Sequence, residues 1–216
     1  MTDLDRSSTT TVTRIAPGTG LAFVGLALAA ALVIGQYSYL PAGDEIAAFF
    51  QENARRVQIG AYLGALSSVF LIWFSGSVRS HLRVSEGGTG RLSTVAFGGG
   101  VAGAVGTGIA FSILSVAGAR GSEGQVTPAT AMVLYDIYGS LIGVAVPITL
   151  AALLGASSLV ALRAGALPGW LAWSGAVLTI GLISPFSYIF IAIAFLWIAV
   201  VSILLLLSSE GAITSR

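Results

Sequence analysis

Apolar residues in this chain come in long blocks with charge at their edges. Arg14 to Asp44, Arg56 to Arg79, Arg91 to Arg120 and Asp136 to Arg163 each enclose an interval free of charged residues. One membrane-crossing helix needs about 20 residues, at 1.5 Å rise each, to pass about 30 Å of hydrocarbon. Each interval is long enough for that. The stretch from Arg163 to Glu210 is about twice as long and is divided by ISPFS at 183–187. That short Ser/Pro turn joins two antiparallel helices. The pattern predicts an all-α, polytopic transmembrane helical bundle. Its six spans fall near 17–40, 57–78, 93–117, 138–161, 168–183 and 187–208, forming one domain over 17–208. A flexible polar tail over 1–16 and a short tail over 209–216 flank it. The apolar run after the amino tail is too long for the core of a secretory signal, so it reads as an uncleaved first helix.

Arginine placement orients the bundle. With six spans, Arg6, Arg14, Arg79, Arg83, Arg91, Arg163 and Arg216 share one side, against Arg55, Arg56 and Arg120 on the other. The richer side is expected to be the cytoplasm, with both ends of the chain there and the bundle in a bacterial inner membrane.

The first outer loop, PAGDEIAAFFQENARR over 41–56, changes period. Ile46, Phe49 and Phe50 recur at helical spacing, with Asp44 and Glu45 at a helix start that favours negative charge. Glu52 precedes Arg55 and Arg56 by three and four residues, the favourable order for ion pairs within a helix. This predicts a short amphipathic helix lying in the interface. It serves either as a connector or as a lid over an outward-facing cavity.

The third span carries AFGGGVAGAVGTGIAF. Gly99 and Gly103 are four apart, as are Gly100, Ala104 and Gly108, so small residues line helix faces that admit another backbone closely. Such a face packs inside the monomer or forms a homodimer seam. The preceding EGGTGR lacks the Lys and Ser/Thr of a phosphate loop and reads as a turn.

One acid, Asp136, sits between apolar runs in MVLYDIYGSLIG. The helix from Asp136 to Arg163 is about 40 Å long, close to the full bilayer with its headgroup layers. Asp136 then lies at the outer interface, with Tyr135 and Tyr138 in an aromatic belt. The alternative starts the membrane near Thr127 and sinks Asp136 into it, where a carboxylate needs a partner. Arg120 is the nearest candidate. Asp136, Tyr135, Tyr138 and Arg120 are thus the candidate ligand or ion site. Pro147, mid-span, predicts a kink.

Composition narrows the chemistry. The chain is 56% hydrophobic and 9% charged, with a net charge of +1; a soluble domain carries about 25% charged residues. No basic face is available for nucleic acid. Cysteine is absent, which removes disulfides, thiolate metal sites and cysteine nucleophiles. The one histidine, His81, lies in the arginine-rich second loop, where it reads as a solvated residue or a headgroup contact. A single histidine cannot supply bis-histidine haem or a zinc ligand set. No acid pair lies within the membrane for an aspartyl protease. No metal or cofactor is expected.

Two stretches bear a resemblance. NARRVQIGAYLGALSSVFLIWFSGSVRSHLR (53–83) pairs an arginine-led start with a small-residue span. LRAGALPGWLAWSG (162–175) carries Gly, Leu-Pro and two tryptophans. Both resemble a widespread family of small six-span membrane proteins from high-GC bacteria, of unknown function. The resemblance implies an inner-membrane bundle and carries over no catalytic residues. Independently of it, Pro168 suits a helix start, and Trp170 and Trp173 suit a headgroup anchor.

Three function classes follow. The favoured one is a non-enzymatic bundle acting through lipid, a membrane partner or a copy of itself. The alternative is a small-molecule transporter or binder, its cavity opening near Asp136 under the 44–54 helix. An enzyme has least support, since no recognisable catalytic geometry is spelled out.

Overall fold

A computed structural model describes residues 18–35 and 42–214, the side chains of 209–214 excepted. Its elements are α1 (Thr19–Ile34), α2 (Gly43–Glu52), α3 (Ala54–Glu86), α4 (Arg91–Ser122), α5 (Pro128–Ala164), α6 (Gly169–Ile183) and α7 (Ser187–Thr214). No strand occurs among the described residues. Four helices, α3, α4, α5 and the stretch Ser187–Ser208 of α7, are long and apolar enough to cross a membrane. The other two apolar helices, α1 and α6, are shorter. The tail over 1–16 lies outside the described residues, and α7 continues past position 208.

Local chemistry sets the ends. Gly35, Gly87 and Gly165 stop α1, α3 and α5 at positive φ, a conformation glycine enters without a Cβ clash. Thr127 caps α5, accepting from the Thr130 N–H at 3.3 Å, with Pro128 in the first turn where its missing N–H is harmless. At the α3–α4 turn the Glu86 carboxylate takes two orphan helix-start donors, Leu92 N–H at 2.7 Å and Ser93 N–H at 2.8 Å.

Two expectations change here. The second loop shrinks to Gly87–Gly90, because α3 runs on through Arg79, His81 and Arg83 to Glu86; charge does not end a helix, and arginine is a good helix former. The expected Glu52–arginine pairs also do not form among the described residues. The helix breaks at Asn53, so Glu52 and the arginines lie on different helices. Arg56 instead donates from Nε to the Val33 carbonyl at 3.1 Å, where α1 leaves carbonyls unsatisfied.

The buried residues fall into two cores. The larger, including Phe23, Leu71, Phe74, Leu150, Leu153 and Trp197, gathers α1, α3, α4, α5, α6 and α7. The smaller joins α2 to the adjoining ends of α1, α3, α4 and α5 through Ile34, Ile46, Phe50, Val57 and Leu114. Large apolar residues face outward as well as inward. Small residues such as Gly60, Gly64, Gly100 and Ala104 lie inside, while Leu32, Trp73, Ile180, Ile183 and Leu196 point outward. Four buried hydroxyls are satisfied within their own helices, whereas the buried Ser158 hydroxyl has no partner among the described residues. Ser67, Ser75, Thr107 and Ser157 donate to carbonyls three or four residues back at 2.6 to 2.8 Å. That suits an environment with no water to offer.

Candidate functional site

The four residues singled out around Asp136 divide between the core and the surface. Tyr135 and Tyr138 are half-buried and pack against the smaller core. The Tyr138 ring meets Phe111 edge-on at 5.7 Å between centroids. Asp136 and Arg120 are both exposed, and among the described residues neither makes an ion pair. The helix does begin near Thr127, yet Asp136 is not buried in the bundle. It points off the outer face of α5 into an open groove with Ile137, Ser140, Leu141 and Val144. The space beneath α2, read as the roof of a cavity, is occupied by its own Ile46, Ala47 and Phe50. Gly121 lets α4 approach the Phe50 carbonyl so closely that a Cβ there could not fit.

The most unusual backbone begins five residues beyond Asp136. Leu141–Ala145 is a π-helical segment, its register closed by Val146 N–H bonding to the Leu141 carbonyl. Pro147 follows directly. In an α-helix residue 147 would donate to the Gly143 carbonyl; proline has no N–H, and its ring crowds that same carbonyl. Widening the helix by one residue relieves the clash but leaves the carbonyl short of a donor. Ser187, the first residue of α7, supplies it: its hydroxyl donates to the Gly143 oxygen at 2.6 Å, from a side chain only 6% exposed. The π segment of one helix is thereby stapled to the start of another.

Around this staple lies a cleft of about 440 Å³ lined by Gly139, Gly143, Val144 and Ile148 on one side and Leu182 to Pro185, Ser187 and Tyr188 on the other. The cleft exists because α6, at 15 residues, turns back while α5 continues upward. Its walls are apolar apart from the hydroxyls of Ser184, Ser187 and Tyr188, and Ser184 already donates to the Gly181 carbonyl at 2.7 Å. Such a lining can accommodate an apolar chain or side chain; no acid–base pair converges on it. Among the described residues no group of three or more His, Asp or Glu is placed to hold a metal ion.

The glycine face of α4 is used on both sides within the chain. A Cβ on Gly99 would come within 2.7 Å of the α5 backbone at Thr149 and Leu153, and one on Gly103 within 3.3 Å of Leu150 and Thr149. Gly100 abuts Ser75 of α3, and Gly108 would reach Ser68 at 3.3 Å. Ala104 is buried between them. The face is thus the seam of α3, α4 and α5 in one molecule.

His81 is not a solvated loop residue. It sits on α3 with Nε2 2.9 Å from the Ala166 carbonyl, tying α3 to the α5–α6 connection. Ser187, Gly143 and Ala166 were missed as partners because each contact spans 44 or 85 positions. Proline mid-span was the one available signal that some donor had to be found. Comparison of the chain with protein-family models, curated proteins and solved structures finds no match in any of the three.

Proposed function

We propose that this chain is a six-span bundle of a bacterial inner membrane, with α1 and α3 to α7 crossing and both ends cytoplasmic, in keeping with the resemblance to small six-span proteins of high-GC bacteria. It acts through its surface, toward lipid, a membrane partner or a second copy, rather than by catalysis. The observation that carries this reading is the close-packed glycine seam at the centre, where a Cβ on Gly99 would strike the α5 backbone and one on Gly118 the α3 backbone. Depth agrees with it. Gly143 to Arg163 is about 30 Å of helix, one hydrocarbon thickness. Asp136 then stands about 10 Å beyond, among headgroups and water.

A carrier is the second reading, favoured by one feature: the Asp136 groove meets the α5–α7 cleft at Val144. The two differ at Thr107, buried midway along α4. Thr107→Cys is expected to resist small water-soluble thiosulfonates applied from either side of the membrane. Rapid reaction would reveal a water path to the midplane and favour the carrier.

A further inference from the structure

We infer that the inner ends of α3 and α4 form a binding site for a phosphate-bearing anion, built on Arg79 and Arg83 and supplied in the membrane by an anionic phospholipid headgroup. The two arginines are one helical turn apart and lie along the same α3–α4 seam. The Arg79 guanidinium carbon stands 5.5 Å from the centre of the Phe97 ring of α4. The Arg83 stem passes 3.4 Å from where a Cβ on Gly90 would lie. Stacking on an aromatic face holds a guanidinium in a fixed plane without satisfying its donors.

Those donors lack an acceptor. Arg79 Nε is buried with no hydrogen-bond partner, and neither arginine makes an ion pair among the described residues. Among the described residues, the acid at this turn, Glu86, directs both carboxylate oxygens to the start of α4, toward Leu92 and Ser93. His81 is engaged with Ala166 on the neighbouring face. Arg91 adds a third positive charge at the same turn, one residue past Gly90. An excess of cationic charge with its counter-ion committed elsewhere calls for an external anion. Arginine guanidinium groups suit a tetrahedral phosphate, whose oxygens accept in fork geometry.

Depth identifies the source. Arg56 to Arg79 is about 35 Å of helix, which puts Arg79 at the inner boundary of the hydrocarbon and Arg83 about 6 Å further out, at phosphate level. The site rests on the membrane-embedded reading for its ligand's source alone, and its assay is indifferent to whether a solute path exists at Thr107.

The test is native mass spectrometry of the purified protein in micelles with equal phosphatidylglycerol and phosphatidylcholine. The wild type is expected to retain phosphatidylglycerol about tenfold over phosphatidylcholine. Arg83→Gln, at an exposed position that leaves the seam packing intact, should lower the ratio about fivefold, since one arginine near an anionic surface contributes about 1 kcal/mol. Arg79→Gln should do the same, and Arg163→Gln, on the same side but outside the seam, should leave it unchanged. In a lipid-free arm, inorganic phosphate that raises the melting temperature of wild type and not of Arg83→Gln confirms the site with a soluble anion as its ligand. An equal loss in Arg163→Gln would mean diffuse surface charge and overturn the site, as would a wild type with no preference in either arm.

Discussion

Gly99→Ala is expected to destabilise the bundle by about 3 kcal/mol, although alanine is the better helix former. The added methyl lies 2.7 Å from the Leu153 nitrogen and the Thr149 carbonyl oxygen of α5. Both are backbone atoms that no rotamer change can move, so the two helices must separate along the whole seam. Separation opens the contacts of Gly103 with Leu150 and Thr149, and overpacking of this kind costs up to about 3 kcal/mol or more. Gly98→Ala is the internal control. Nothing lies within 4 Å of its Cβ position, so the substitution should be neutral, or should stabilise by up to about 1 kcal/mol through helix propensity. Thermal unfolding in detergent, followed as the surviving monodisperse fraction, separates them. Equal effects at 98 and 99 would mean that propensity, and not backbone approach, governs this helix.

Ser187→Ala has the second-largest expected effect. It strips the half-buried Gly143 carbonyl of the Ser187 hydroxyl at a position where Pro147 cannot replace it, and an acceptor left unsatisfied away from water costs about 1 to 3 kcal/mol. The mechanism makes a sharper claim through a second substitution. Pro147→Ala restores an N–H at 147 and lets the π segment close to α, so Ser187→Ala should matter much less in that background. The double-mutant cycle should therefore show a coupling of about 1 kcal/mol or more. Additivity would mean that the hydroxyl and the proline act separately, and the staple would have to be abandoned.

Charge-free intervals revealed the helices because lipid admits few charged residues, so Arg56, Arg79, Arg91, Arg120 and Arg163 bracket apolar helices. The same signal misplaced helix ends. Nothing requires a helix to stop where the hydrocarbon stops, and α5 begins at Pro128, ten residues ahead of the span start at 138. TPAT at 127–130 was legible as a cap and first-turn proline but was overshadowed by hydropathy. The spacing of Gly99, Gly100 and Gly103 showed that something packs closely. It could not say that the partners are α3 and α5, because small-residue spacing carries no address. Asp136 drew attention as a lone acid, yet the unusual structure lies at Pro147 and Ser187. Their joint role appears only when the fold brings 143 and 187 together.

The central claim, a six-span bundle with α2, the α4–α5 loop and Asp136 outside and the α3–α4 turn inside, is testable because the chain has no cysteine. Single cysteines at Ser122, Asp136 and Thr89, all exposed positions, should be treated with a membrane-impermeant maleimide in intact cells. Prompt labelling is expected at 122 and 136, with 89 reacting only once the membrane is opened. Labelling of 89 in intact cells, with 122 and 136 protected, would contradict that claim.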